Sequence, residues 1–88
     1  MMVKILALVN KEILVSQIEE VGADIGEPDC KLIKPFKIDE GPTPNELVIQ
    51  PWLFQYTTDT TFMMQSDKIL TITEPSPAII EKYNELIK

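Results

Sequence analysis

Histidine is absent from this sequence, and cysteine occurs at one position, Cys30. Metal sites and nucleophile–base pairs depend heavily on these two side chains, so the usual metal-ligand and catalytic-triad arrangements are excluded. We therefore expect no catalytic residue, no metal site and no cofactor, and we do not expect an enzyme. A lone cysteine cannot form a disulfide within the chain, which agrees with a reducing compartment.

The sequence also lacks any run of basic residues, and its formal net charge is −6. Binding to a DNA duplex requires clustered Lys and Arg that neutralise phosphates, so duplex DNA is excluded as a partner. The apolar run near the N-terminus is too short for a membrane span and has no signal-peptide cleavage pattern. We therefore expect a cytoplasmic protein without a membrane partner.

A chain of 88 residues has room for a single hydrophobic core, so we expect one domain over residues 1–88. Residues 3–9 and 13–18 are apolar and β-compatible, which predicts a β-hairpin. Asn10 lies between the two runs, and we expect it to adopt the left-handed conformation that a tight turn needs.

Two loops rich in Gly and Pro, residues 22–29 and 39–46, enclose a third strand. Apolar and polar residues alternate through this strand, which is the two-residue period of a half-buried strand. Pro35 removes one backbone donor, so we expect a bulge or a sheet edge there. At the start of the strand, Cys30 is interpreted as a small buried apolar side chain, with a reactive thiol as the alternative.

Aromatic residues recur at every second position in Trp52, Phe54 and Tyr56. On an extended segment this spacing places the three rings on one face. There the rings would either stack on unpaired bases or pack in the core or against another subunit. We favour packing, because no basic residues are interleaved with the rings.

The end of the chain predicts two short strands and a helix. Residues 62–64 and 69–73 are β-compatible, and the polar residues 65–68 join them. Ser76 is a favourable N-cap, Pro77 suits the first helical position, and the apolar residues that follow lie on one helical face.

Short strands separated by Gly and Pro loops, without helices between them, predict a mostly β fold and a small barrel. We place the barrel at residues 2–74 and an amphipathic helix at residues 76–87. The helix is too short to be stable alone, so its apolar face must pack on the β domain or on a neighbour.

The segment from Phe62 to Ile72 resembles the second motif of the Sm-like (Lsm) family, which includes bacterial Hfq. Its hydrophobic residues have the spacing of that motif, in which apolar residues precede a polar turn and an Ile-Val-x-Ile strand. The hairpin over residues 8–18 resembles the first motif. The chain is similar to divergent Sm-like proteins attributed to marine phages, which carry a helix after the barrel, and this similarity implies a viral protein in the host cytoplasm.

The resemblance implies a strongly bent antiparallel sheet, an SH3-like open barrel, that assembles into homo-oligomeric rings of about five to seven subunits. In the family, the fourth strand of one subunit pairs with the fifth strand of the next. The residues expected at this interface are Phe62, Met63, Met64, Gln65, Ile69, Leu70, Thr71, Ile72 and Thr73.

The resemblance also implies candidate RNA-binding residues. Gln65, Ser66 and Lys68 occupy the turn that lines the family's nucleotide pocket, and Lys31 falls near its other contact loop. A plain polar turn is the alternative interpretation. The expected function is that of a ring that binds single-stranded RNA or modulates host RNA processing. The alternative is an acidic oligomeric adaptor that acts through protein–protein contacts without RNA.

Overall fold

The computed structural model describes residues 2–88 and confirms a mostly β chain that ends in a helix. Within these residues a 3₁₀ turn at Ser66–Lys68 separates the last two strands. In chain order the elements are β1 (Met2–Leu8), β2 (Ile13–Glu20), β3 (Cys30–Glu40), β4 (Leu47–Pro51), β5 (Thr61–Met64), β6 (Ile69–Thr73) and α1 (Pro77–Leu86).

All six strands belong to one antiparallel sheet, in the order β4-β3-β2-β1-β6. The strand β3 is long enough to hold two partners along the same edge. Its residues 36–40 pair with β4, and its residues 30–33 pair with β5. β5 therefore lies off the path β4-β3-β2-β1-β6, on the same side of β3 as β4, and β6 lies at the opposite side of the sheet.

The predicted hairpin is confirmed as β1 and β2, but its turn differs from the prediction in one residue. The left-handed residue is Lys11, with φ 73°, and not Asn10. The side chain of Asn10 instead forms a local turn, because its Oδ1 accepts the backbone N–H of Glu12 at 3.0 Å.

Pro35 lies at a bulge in the middle of the sheet and not at an edge. The register between β2 and β3 shifts after Val15, and Lys34 has φ 51°. The hydroxyl of the buried Ser16 donates to the carbonyl of Gln17 at 2.8 Å and lies 3.2 Å from the carbonyl of Ile33 on the same stretch. A bulge inserts an extra residue and so shifts the alternation of side chains by one position. Residues on either side of the bulge that would otherwise share a face of the sheet therefore lie on opposite faces.

The core consists of two clusters on the two faces of the sheet. Leu14 and Val15 are adjacent in β2 and fully buried, and adjacent strand residues point to opposite faces. We call the two groups the inner and outer clusters. Buried residues of the inner cluster are Leu6, Leu8, Leu14 and Leu32, with Ile18, Trp52, Met64 and Ile69 packed against them. Those of the outer cluster are Val15, Phe36 and Tyr83, with Val3, Ile5, Ile38, Ile49, Ile79 and Ile87.

The inner cluster is enclosed by the sheet itself. Met64 comes from one end of the sheet and Ile69 from the other, yet both pack on the same buried leucines. The sheet therefore curves round the inner cluster and brings β5 and β6 towards each other. The curvature leaves the two strands joined only through the turn of residues 65–68.

The outer cluster is covered by α1. The helix begins as predicted, with the Ser76 hydroxyl accepting the N–H of Ile79 at 3.3 Å and Pro77 in the first turn. Tyr83 is fully buried and meets Phe36 edge to face, with ring centroids 5.7 Å apart. In the part of the chain that the structure describes, no helix has the length and apolar character to cross a bilayer.

Candidate functional site

The turn between β5 and β6 is tied to the loop of residues 21–29. The amide nitrogen of Gln65 donates to the carbonyl of Gly26 at 2.6 Å. Ser66 donates twice to the carboxylate of Asp29, from its backbone N–H and from its hydroxyl, each at 2.7 Å. Two of the predicted RNA-binding side chains therefore hold one loop of the protein against another.

Asp29 is the residue of this site that the sequence analysis missed. The two hydrogen bonds from Ser66 stabilise its ionised form and hold the pKa of the carboxyl below its usual range. Asp29 and Ser66 are far apart in the sequence, and several other carboxylates lie in the same loop. No local pattern distinguishes Asp29 from those neighbours.

We predict that Ser66→Ala raises the pKa of Asp29 towards its usual range. Both hydrogen bonds lower the pKa, and the substitution removes the hydroxyl donor while keeping the backbone N–H. The measurement is an NMR titration of the Asp29 side-chain carbon through acid pH. Ser76→Ala removes a hydroxyl from the helix cap and serves as the control. An Asp29 midpoint that is the same in wild type and Ser66→Ala would contradict the assignment.

The cavity beside this turn is strongly acidic. It has a volume of about 300 Å³, and both Gln65 and Ser66 line it. Carboxylates are its only charged groups, and neither Lys31 nor Lys68 is among its lining residues. These carboxylates belong to Asp24, Glu27, Asp29 and Asp67. Phosphate groups of a nucleic acid would meet negative charge here.

The two predicted lysines lie on other parts of the surface. Lys31 is half-buried in β3, opposite Glu19 on one side and Met63 on the other. Lys68 is exposed at the end of the 3₁₀ turn. Within residues 2–88 neither lysine forms an ion pair. The structure thus brings Gln65 and Ser66 together but does not gather the four predicted residues in one cavity.

The predicted interface residues divide into two groups. Phe62, Met64, Gln65 and Ile69 are half-buried within their own chain. Phe62 packs edge to face on Trp52 with ring centroids 5.4 Å apart, Gln65 donates to the carbonyl of Gly26, and Met64 and Ile69 contact the inner cluster. The second group is exposed. Its apolar members are Met63 at 51%, Leu70 at 70% and Ile72 at 50%, followed by Thr71 and Thr73.

Both strands that carry these residues are edge strands. In residues 2–88, β5 pairs with β3 and β6 pairs with β1, and neither has a partner on its other side. Ile72 lies opposite Leu6, which is fully buried in the inner cluster, and paired residues in a sheet point to the same face. Ile72 therefore faces the core, and half of its surface is open because no strand lies beyond β6.

The expectation of three rings on one extended face was wrong. β4 ends at Pro51, and the next five residues form a turn in which Leu53 has φ 60°. Trp52 packs on the inner cluster, as favoured, whereas Phe54 and Tyr56 are exposed. Alternation fails because the backbone is no longer extended after Pro51.

Cys30 is buried, which confirms its interpretation as a small apolar side chain. Burial raises the pKa of its thiol, and the nearby charges of Asp29 and Glu20 raise it further. A thiol in this state is a poor nucleophile. Across residues 2–88 no group of three or more acidic or cysteine side chains is arranged to hold a metal ion.

The model of a protein family described as "Family of unknown function (DUF6561)" matches residues 1–88. None of the curated proteins matches the chain.

Proposed function

Since the chain belongs to this family of unknown function, we propose from its geometry that the protein is a self-assembling module in which β5 of one copy pairs with β6 of the next. The observation that carries the proposal is the open side of β6. Ile72 occupies a core-facing position opposite Leu6, yet half of its surface is exposed. A strand placed beside β6 would bury this side chain and extend the inner cluster.

The free edge of β6 has none of the usual protection against pairing. Edge strands are commonly blunted by Lys, by Pro or by inward-pointing charges. The sequence of β6, Ile69–Thr73, contains only isoleucine, leucine and threonine. β4 also has a single strand partner, but it ends in Pro51, which has no backbone N–H to offer.

The sheet topology favours a head-to-tail arrangement. The free edges of β5 and β6 lie on opposite sides of the sheet, one beyond β3 and the other beyond β1. Pairing one with the other uses two different surfaces, and such heterologous contacts form rings when the rotation between copies closes. A curved sheet suits closure, and the resemblance to the Sm-like family suggests an open-barrel subunit in a ring of about five to seven copies.

We propose that the assembly acts as a non-enzymatic adaptor through protein–protein contacts. The turn that would line a nucleotide pocket is surrounded by four carboxylates, and Gln65 and Ser66 are engaged with the loop of residues 21–29. Each added copy would bring the same carboxylates to the assembly. The net charge of −6 per chain likewise disfavours the binding of a nucleic acid.

Ile72→Lys is expected to dissociate the assembly. Light scattering after size-exclusion chromatography should give a mass of several chains for the wild type and of one chain for the variant, because a charge at the seam blocks strand addition. Leu47→Lys is the matched control, since Leu47 is 49% exposed on β4 and Ile72 is 50% exposed on β6. A wild type that remains a single chain at high micromolar concentration would end the proposal.

Binding of single-stranded RNA is the second candidate function. It is favoured by the two lysines without ion pairs, Lys31 and Lys68, because Lys68 lies on the turn between the two proposed interface strands. Fluorescence anisotropy with labelled oligo-U and oligo-A tests it. Salt-sensitive binding that Lys68→Gln weakens would support RNA binding. The absence of binding at high micromolar protein would contradict RNA binding and leave the adaptor as the remaining proposal.

A further inference from the structure

A second cavity lies away from the proposed assembly edges. It has a volume of about 250 Å³ and is formed by Glu12 just before β2, the end of β3, the end of β4 and the turn of residues 52–56. No residue of β5 or β6 lines it. We call this cavity the aromatic cleft. The lining residues that matter to its chemistry are Glu12, Lys37, Asp39, Trp52, Phe54 and Tyr56.

The exposed rings of the aromatic cleft are held there by the backbone. Tyr56 is 81% exposed, and its N–H donates to the carbonyl of Leu53 at 2.9 Å. Leu53 itself has the left-handed conformation, and Trp52 donates its N–H to the carbonyl of Pro35 at 2.9 Å. The turn is therefore fixed at both ends while Phe54 and Tyr56 remain in contact with water. Rings presented in this way are typical of recognition surfaces.

The indole N–H of Trp52 is a buried donor without an acceptor in residues 2–88. Buried donors in folded proteins are nearly always paired, so an unpaired one requires an explanation. Trp52 lines the aromatic cleft. The nitrogen is enclosed within the protein, so a ligand in the cleft does not reach it, but the ring lines the cleft and its fluorescence reports on binding there.

The charges of the aromatic cleft favour a cation. The ammonium of Lys37 lies 3.4 Å from a carboxylate oxygen of Glu12 and 3.7 Å from one of Asp39. Two carboxylates against one ammonium leave the cleft with a net negative charge. The protein's own lysine shows that these carboxylates accept a cation, and aromatic faces add a second attraction for one.

We propose that the aromatic cleft binds a cationic side chain, Arg or Lys, from a basic peptide segment of a partner protein. The cation lies against the rings of Phe54 and Tyr56 and within reach of Glu12 and Asp39. The cleft is formed within one chain, so this inference does not depend on the association of copies. Charge complementarity with a chain of net charge −6 selects a basic partner.

The test uses the intrinsic fluorescence of Trp52, the single tryptophan of the chain. The purified protein is titrated with a nonapeptide that contains three Arg, and with the same peptide in which citrulline replaces each Arg. Citrulline keeps the shape of Arg without its charge. We expect the Arg peptide to bind about tenfold more tightly, the combined effect of cation–π and carboxylate contacts.

Variants separate the cleft from general electrostatic attraction. Tyr56→Ala and Glu12→Gln should each lower the affinity for the Arg peptide by roughly three- to tenfold. Lys37→Gln should raise the affinity for the Arg peptide by about threefold, because the competing ammonium group is removed. Lys82→Gln on α1 changes the net charge equally and is the matched control. Phe54→Ala replaces Tyr56→Ala if the circular dichroism spectrum of the latter shows unfolding.

Equal affinity for the Arg and citrulline peptides would overturn the proposal, as would equal effects of Lys37→Gln and Lys82→Gln. A fluorescence change with oligo-U or a neutral oligosaccharide, and none with the Arg peptide, would also overturn it. The assembly variant Ile72→Lys should bind the Arg peptide as the wild type does. Failure of the peptide test is thereby distinguished from failure of self-assembly.

Discussion

Tyr83→Ala is expected to lower the free energy of unfolding by about 3–5 kcal/mol, as large aromatic-to-alanine changes do in protein cores. Tyr83 is fully buried and joins α1 to the outer cluster through its ring contact with Phe36. A helix of ten residues is marginal in water without such packing. Chemical unfolding at fixed protein concentration gives the free energy. Far-UV circular dichroism should show helix and strand lost in the same transition.

The matched variant Tyr83→Phe keeps the ring and removes the hydroxyl. That hydroxyl donates to the carbonyls of Lys34, at 2.8 Å, and Ile33, at 3.3 Å, at the bulge of β3. We expect a loss of about 1 kcal/mol, the usual net value of such a hydrogen bond. Equal losses for Tyr83→Ala and Tyr83→Phe would contradict the view that ring burial dominates.

The comparison of wild type with Tyr83→Phe also gives a prediction for alkaline pH. Burial raises the pKa of Tyr83 above that of an unfolded tyrosine. The unfolded chain therefore loses its phenolic proton first, and the stability that neutral Tyr83 contributes is lost as pH rises from the unfolded towards the folded pKa. Tyr83→Phe has no such group. The stability difference between wild type and Tyr83→Phe should shrink as pH rises through this window.

Leu32→Ala is expected to cost about 3–5 kcal/mol of unfolding free energy. Leu32 is fully buried in the inner cluster, at a position of β3 that pairs with Ile18 on one side and Phe62 on the other. Strands on both sides limit how far the site can collapse into the space that the substitution leaves. Urea unfolding followed by Trp52 fluorescence reports on the same cluster.

Leu47→Ala is the control for Leu32→Ala, because it makes the same chemical change at a residue that is 49% exposed. Its expected effect is within about 0.5 kcal/mol. The inner and outer clusters share one sheet, so wild type and variants should each unfold in a single transition. Equal losses at Leu32 and Leu47, or separate transitions for strand and helix, would show that the assignment of the core is wrong.

Local patterns were sufficient for most of the elements. The hairpin, the first Gly and Pro loop, the strands on either side of residues 65–68 and the terminal helix lie where the sequence predicted them, and the second loop begins two residues later than predicted because β3 continues to Glu40. Ser76 and Pro77 define the start of α1 through contacts within one turn. These features were predictable because the interactions that form them lie within a few residues of each other.

Predictions failed or left alternatives open where a neighbour distant in the sequence decides the conformation. At Pro35 the sequence allowed a bulge or a sheet edge, and the pairing of β3 on both sides shows that it is a bulge inside the sheet. The bulge turns Phe36 to the opposite face from Leu32, so a simple two-residue period cannot describe the whole strand. Asp29, the hydrogen-bond partner of Ser66, likewise lies in a loop 37 residues away in the sequence.

The amino-acid order by itself determined a single mostly β domain, its turns and its terminal helix, because hydrophobic periodicity, Gly, Pro and helix caps act over short stretches of chain. Only the tertiary structure decided which strands lie side by side, which face α1 covers, and that β5 and β6 end the sheet with open edges. It also decided that Phe54 and Tyr56 line the same cleft as Glu12 and Asp39. Contacts between distant segments depend on how the whole sheet curves, and no short pattern of residues encodes that curvature.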